Sequence, residues 1–266
     1  MYITIKARPL LAGAAVLAAL VFGFFSFGSL NAALPASASI DNWGLSFPKQ
    51  GGAPTGNATA DFLKNYNAAY MGNTEKPVIY FTFDAGYENG YTAKILDTLD
   101  QNKVPATFFL VGGYLERNGD LVKQMLEQGH TIGNHTMNHP DLEKISTKQA
   151  FEQELLQFEE KYRLVTGQEP TKLYRPPQGK YSKQNLQMAK DLGYNTAFWS
   201  LAYVDWFDNK QPTRPEALEK LLPRAHNGCI LLLHSTSKTN ADILHELIGE
   251  YRRAGFEFGR LEDIFA

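Results

Sequence analysis

The chain of 266 residues is 44% hydrophobic and 20% charged, with 13 Pro and 22 Gly, a balance that excludes a wholly disordered, fibrous or linker-type protein. Its formal charge of −2 excludes a dedicated nucleic-acid binder, which needs a basic surface to meet phosphates, so no nucleic-acid partner is expected. The single cysteine excludes an internal disulfide and any multi-cysteine zinc or iron–sulfur site, so an exported form must rest on its hydrophobic core alone.

Lys6 and Arg8 precede Leu10 to Leu30, 21 residues without a charge, long enough to cross a hydrocarbon core. A basic flank before an apolar run is the order of signal peptides and N-terminal anchors. Ala36-Ser37-Ala38 offers a small-x-small cleavage site, yet the run exceeds a usual signal core. Residues 1–38 are therefore expected to be a signal peptide or an uncleaved anchor helix. Either makes the remainder extracytoplasmic, secreted or membrane-anchored, with a membrane partner only if the segment is retained. Residues 39–76 read as a linker and N-terminal extension, with Gly51-Gly52-Ala53-Pro54 as turn chemistry and Trp43, Phe47, Tyr66 and Tyr70 packing back on the main domain.

From residue 77 to 266 strands and helices alternate. Val78 to Phe83, rich in β-branched and aromatic residues, predicts a strand, and Thr92 to Leu99 a helix with Ile95, Leu96 and Leu99 inward. Ala106 to Val111 predicts a second strand, the stripe Leu121, Val122, Met125 and Leu126 a helix ending at Gly129, and His130 to Gly133 a third strand. Phe151, Leu155, Phe158, Tyr162 and Val165 recur at helical spacing, with Ser146 and Gln149 as a capping box and Gly167 as the stop. Strands at Leu173 to Arg175, Tyr194 to Ser200, Cys229 to Leu233 and Phe256 to Phe258 follow, separated by helices from Ser182 to Gly193, Pro215 to Ala225 and Ala241 to Arg253. About seven strands alternating with helices predict an α/β fold with a parallel sheet, open or closed into a barrel. The unbroken run Ile230-Leu231-Leu232-Leu233 fits burial on both faces.

Polar residues gather at the ends of these strands: Asp84, His135 and His139, Arg175, Asp205 with Trp206, and His234. In a parallel barrel all C-terminal strand ends meet at one rim, where active sites are built. Singly, each has a plain structural reading. Asp84 would serve as a turn acid, Arg175 as a surface cation and His234 as a satisfied core histidine. His135 and His139 can reach one ion if the stretch turns helically, but Pro140 biases His139 toward an extended loop. Cys229 and Trp199 read as core, and His130, His226 and His245 as structural or surface residues. Asn57-Ala58-Thr59 matches a glycosylation sequon by pattern only. No nucleophile elbow, dinucleotide fingerprint or phosphate loop is present.

Thr82-Phe83-Asp84-Ala85-Gly86, His135-Thr136-Met137-Asn138-His139, Arg175-Pro176-Pro177-Gln178-Gly179, Val204-Asp205-Trp206 and Leu231-Leu232-Leu233-His234 resemble, in order and spacing, the five motifs of the polysaccharide deacetylases, the NodB-homology group or carbohydrate esterase family four. The resemblance covers roughly 77–266 as a catalytic domain. It implies a distorted (β/α) barrel that removes acetyl groups with a divalent metal, zinc being the expected ion. Trp43-Gly44, Gly86-Tyr87-Glu88-Asn89-Gly90-Tyr91-Thr92 and Ser200 to Trp206 are further similar to the δ-lactam-forming de-N-acetylases, which act on N-acetylmuramic acid of spore-cortex peptidoglycan.

That resemblance implies Asp84 as general base, Arg175 as the cation holding it ionised, His234 as general acid and Asp205 as the partner of its other nitrogen. It implies His135 and His139 as metal ligands, Trp206 as a wall of the substrate pocket and Tyr87 as a substrate contact. The general family has a second, metal-binding acid after the first. Ala85 holds that place here, and the muramic subgroup also lacks the acid, usually carrying Asn. The metal site is thereby weakened, because two imidazoles hold an ion less well than two imidazoles and a carboxylate. The expected function is de-N-acetylation of N-acetylmuramic acid in a peptidoglycan glycan strand. Two alternatives stay open: deacetylation of chitooligosaccharide, N-acetylglucosamine or xylan, and glycan binding without catalysis.

Overall fold

A computed structural model describes residues 41–47, 52–145 and 147–266. The expected signal or anchor over 1–38 lies outside the described residues, as does Ser146 of the expected capping box. Among the described residues no helix is long and apolar enough to cross a membrane. Thr147 caps the long helix instead, its hydroxyl accepting the amide of Ala150.

The main sheet has eight strands: β1 (Ala68–Ala69), β2 (Val78–Ala85), β3 (Ala106–Leu110), β4 (Thr131–Asn134), β5 (Leu173–Tyr174), β6 (Asn195–Ala197), β7 (Cys229–His234) and β8 (Glu257–Phe258). All pairings are parallel, in the order β7-β2-β3-β4-β5-β6-β1, with β8 beside the start of β2. The sheet curls into a half-barrel, and an isolated bridge joins Leu201 to Leu231 of β7. Helices α1 (Ala60–Lys64), α2 (Thr92–Asn102), α3 (Gly112–Arg117), α4 (Gly119–Glu127), α5 (Lys148–Thr166), α6 (Lys183–Asp191), α7 (Arg214–Leu221) and α8 (Lys238–Arg253) form the connections.

Strand alternation sorts the side chains. On β2, Ile79, Phe81, Phe83 and Ala85 join the core shared with the helices, while Tyr80 joins the inner cluster with Phe109, Leu173, Ala197 and Ile230. Tyr80, Thr82 and Asp84 share one file, as do Ile230, Leu232 and His234 on β7, where Cys229, Leu231 and Leu233 face the helices. Inside, strands β3 and β4 approach so closely that a Cβ on Gly133 would lie 2.5 Å from the Phe109 ring, so only glycine fits there.

Several expectations are corrected. The boundary at residue 77 does not divide the described residues, because the extension supplies β1, pairs Asp41–Asn42 antiparallel with Lys180–Tyr181, and buries Trp43 against Tyr70 and Phe198. Trp43 and Tyr70 thus pack back on the main domain as expected, and the strand pairings add to that packing. Helix α3 was not anticipated, since Gly112 and Gly113 are poor helix formers. A Cβ on Gly112 would lie 2.2 Å from the Met137 sulfur, so packing there requires glycine. The strand expected over Tyr194 to Ser200 is confined to Asn195–Ala197, because the carbonyls of Ala197 and Phe198 turn to the Arg175 guanidinium at 3.0 and 3.3 Å.

Candidate active site

The C-terminal ends of the strands open into a cleft of about 690 Å³ lined by Asp84, Ala85, Tyr87, His135, His139, Trp206 and His234, among others. Register explains the convergence. Asp84 and His234 are direct partners across β2 and β7, and Asn134 pairs with both Leu110 and Tyr174, which brings His135 beside Arg175. Arg175 and Asp205 do not line the cleft. They lie beneath it, at 0% and 1% exposure.

Arg175 donates from Nη1 to Asp84 Oδ1 at 2.7 Å and lies 4.2 Å from the centre of the Phe109 ring. Burial alone would push the Asp84 carboxyl up, but Arg175, with lesser help from His135 and His234, outweighs it and holds the group below its ordinary 3.8. Asp84 is therefore ionised at neutral pH.

On the opposite side, His234 donates from Nδ1 to Asp205 Oδ1 at 2.7 Å, and its backbone amide donates to Asp205 Oδ2 at 2.9 Å. Burial pulls the His234 imidazole down, yet Asp205 overrides this and raises it above its ordinary 6.5. The two groups on one rim are thus biased in opposite directions: the carboxylate toward its ionised form and the imidazole toward its protonated form.

His135 and His139 stand between, with ring centres 4.9 Å apart. No helix forms here. The chain turns through Thr136 at φ 70° and His139 at φ 51°, so His139 is left-handed rather than extended as Pro140 suggested. The turn is fastened where Thr136 Oγ1 accepts the His139 amide at 2.9 Å and Asn134 Oδ1 accepts the Thr136 amide at 2.8 Å. His135 is buried; His139 stands at the open edge.

Burial pushes His135 down to about 4, so it is neutral at physiological pH. Its Nδ1 lies 2.8 Å from the Arg175 carbonyl and must donate, which leaves the Nε2 lone pair 3.5 Å from Asp84 Oδ2. Two acceptors facing each other at that distance suit a cation beside them, and a backbone-anchored imidazole is a usual ligand arrangement. The donor chemistry of the pair thus fits a divalent ion. Among the described residues, however, no set of three or more His, Cys, Asp or Glu side chains is arranged to hold a metal. Ala85 adds no donor.

Trp206 tilts against the His234 ring at 5.5 Å, with 45% of its surface exposed at the mouth. Tyr87 lines the same side, but its hydroxyl donates to Asp208 at 2.8 Å, so the ring rather than the hydroxyl faces the cleft unengaged. Sequence reading did not single out Asn138 or Gln178 and assigned Trp199 to the core, yet all three line the cleft. Asn138 and Gln178 sit inside the quoted motifs, where position was the available signal. Trp199 read as core and is instead half-buried at the cleft wall. Cys229 is fully buried, His226 is buried against Ser200, and His245 is exposed, as expected of structural and surface residues.

The curled parallel sheet and its rim of carboxylate, imidazoles and buried arginine define a hydrolase of the polysaccharide deacetylase type, and the profile of that family, described as polysaccharide deacetylase, matches residues 71–197. The peptidoglycan-N-acetylmuramic acid deacetylase PdaA of Bacillus subtilis is 39% identical over 224 residues, which cover 84% of this chain and 85% of that protein. A peptidoglycan-N-acetylglucosamine deacetylase of Bacillus cereus is 32% identical over 208 residues, covering 77% and 74% of the two chains. The solved structure of Bacillus subtilis PdaA, a family 4 carbohydrate esterase, matches with a TM-score of 0.81 and 38% identity over 85% of this chain and 97% of its own. The chain belongs to the polysaccharide deacetylase family.

Proposed function

We propose that this protein hydrolyses the acetamido group of N-acetylmuramic acid in peptidoglycan strands, a step toward the muramic δ-lactam of spore cortex. Membership of the family supports deacetylation by amide hydrolysis, and the relative named for N-acetylmuramic acid supports the substrate. The observation that carries the chemistry is the opposed pair on one rim: Asp84 bonded to the Arg175 guanidinium, and His234 bonded through Nδ1 to the Asp205 carboxylate.

Asp84 takes a proton from the attacking water as its oxygen bonds to the acetyl carbon. Arg175 keeps that carboxylate charged and aimed. His234 delivers its Nε2 proton to the sugar nitrogen as the C–N bond breaks, releasing acetate and an amine. Asp205 holds the ring so that Nε2 faces the cleft. His135 and His139 would hold a divalent ion, zinc being the expected one, whose chemistry is to polarise the carbonyl and stabilise the oxyanion. Trp206 walls the sugar pocket, and the Tyr87 ring completes that wall. Residues 1–38 would export the protein as a signal or hold it at the membrane as an anchor, facing the cell wall.

Ala85 supports the muramic reading. A carboxylate at its position would face the lactyl carboxylate of the substrate, whereas alanine leaves room and no charge. The relative named for N-acetylglucosamine favours a second reading, removal of that sugar's acetyl group. The test is incubation with defined peptidoglycan strands, followed by mass spectrometry of the products and quantitation of acetate. Muramic residues losing one acetyl each is the expected result. Acetate released only from glucosamine residues would establish the second reading, and no acetate would refute catalysis.

A further inference from the structure

Asp205 has two carboxylate oxygens, and the ring of His234 engages one of them. Its Oδ2 accepts the backbone amide of His234 and, at 2.6 Å, the side-chain nitrogen of Asn240. The same Asn240 nitrogen donates at 3.0 Å to the carbonyl of His234. Asn240 Oδ1, at the other end of the carboxamide, accepts the hydroxyl of Tyr203.

These partners fix which way the carboxamide points. Both atoms facing its nitrogen end, Asp205 Oδ2 and the His234 carbonyl, are acceptors. A flipped amide would place an oxygen against each of them and its NH2 against the Tyr203 hydroxyl. All four residues come together by simple local means. Ser237 caps α8 and accepts the Asn240 amide at 3.2 Å, which sets Asn240 in the first turn, beside the end of β7. Tyr203 and Asp205 are two residues apart on either side of a bend at Val204, and both meet Asn240 at the same helix end. Asn240 is 1% exposed and Tyr203 9% exposed, so water does not compete for these bonds.

The geometry points to Asn240 and Tyr203 as positioning residues for the deacetylation step, which lock the Asp205 carboxylate in the one rotation that holds His234 in its Nδ1–H form with Nε2 toward the cleft. The inference rests on the reading of His234 as the proton donor. Neither side chain lines the cleft, so neither touches substrate. Without the amide, Asp205 Oδ2 keeps only a backbone donor. The carboxylate is then free to rotate, and the imidazole is free to exchange its two neutral forms. Both forms give the same imidazolium on protonation, so the neutral form reports whether Asp205 still engages Nδ1, and only while it does is the ring turned so that the Nε2 proton of the cation faces the sugar nitrogen.

The test compares wild type with Asn240→Ala and Tyr203→Phe. The second variant keeps the ring and its packing, so it guards against a fold lost in the first. Two quantities are read: kcat and KM on defined peptidoglycan strands, and the tautomer of His234 by nitrogen-15 NMR at alkaline pH, where the ring is neutral. Asn240→Ala is expected to lower kcat by about 10–100-fold, the usual effect of removing a supporting partner. Tyr203→Phe is expected to lower it by about 2–10-fold, the worth of one neutral hydrogen bond. KM should stay within about twofold in both, because the lost interactions act on the transition state. The His234 signal should change from one tautomer to a mixture. A fall in kcat with an unchanged tautomer would overturn the inference, and so would variants equal to wild type in both measurements. A changed tautomer with unchanged kcat would uphold the positioning role and refute His234 as the proton donor.

Discussion

Replacing Arg175 by methionine tests the buried half of the site. Arg175 is fully buried, bonds Asp84 at 2.7 Å and caps the carbonyls of Ala197 and Phe198. Methionine keeps an unbranched apolar stem between Phe109 and Trp199, so lost volume is not the main perturbation. What is lost is the counter-charge of a carboxylate that is itself only 7% exposed. Removing one member of a buried pair costs about 3–5 kcal/mol. For a chain of this length that corresponds to a Tm lower by about 6–20 °C.

The pH dependence carries a sign that separates this cause from simple loss of packing. In wild type the Asp84 carboxyl is held below its ordinary 3.8, so its stabilisation is present above that value and is lost as pH falls through the lower, folded value. In Arg175→Met burial acts with its main opponent gone, the folded value rises above the unfolded one, and ionisation then opposes folding. The stability gap between the two proteins should therefore be widest at neutral pH and narrow on acidification. Urea denaturation followed by tryptophan fluorescence at neutral and acidic pH measures it. A gap below about 1 kcal/mol, the range of an exposed pair, or a gap independent of pH, would refute the reasoning.

Asp84→Asn and His234→Ala should each lose about 10²–10⁴-fold in turnover with little change in substrate binding, the worth of a positioned base or acid. Retention of most turnover by either would remove it from its role. In wild type the alkaline limb of the kcat profile should lie above 6.5, because Asp205 raises His234 and activity is lost only as that ring deprotonates; a limb below 6.5 would contradict this. Ala85→Asp should tighten zinc binding, measured by calorimetry, and shift preference from N-acetylmuramic acid to N-acetylglucosamine. Two carboxylates about 4 Å apart at an effective dielectric near 20 repel by about 4 kcal/mol. Tighter zinc with unchanged preference would mean that Ala85 reflects relaxed metal dependence alone. His130 is 5% exposed, packs on Phe108, and finds no hydrogen-bond partner for either ring nitrogen among the described residues, and burial pushes it down to about 4. The unfolded chain then binds a proton at about 6.5 that the fold refuses, so stability should decline as pH falls from there toward 4, by about 3 kcal/mol from this residue. His130→Leu should flatten that decline, and an unchanged slope would assign it to other groups.

The sequence by itself determined most of the strands from residue 77 on, the helices between them apart from α3, and the set of residues at the strand ends. Hydrophobic periodicity is a local property, and a strand end marked by Asp84 or His234 needs no knowledge of what lies across the sheet. Alternation within each strand even fixes that Asp84 shares a file with Tyr80 and Thr82, away from the helices. What only the tertiary structure decided depends on partners distant in the chain. That Trp43 packs back on the main domain was legible, but its partner Phe198, 155 positions away, was not. The turn from His135 to His139 took left-handed backbone at Thr136 and His139, since Asn134 and Thr136 oxygens capture its amides. Burial of Arg175 and Asp205 beneath the cleft, and with it the opposite shifts of Asp84 and His234, follows from curling the sheet until strand ends far apart in sequence meet. Charge states are set by neighbours and solvent access, and neither exists until the sheet has curled.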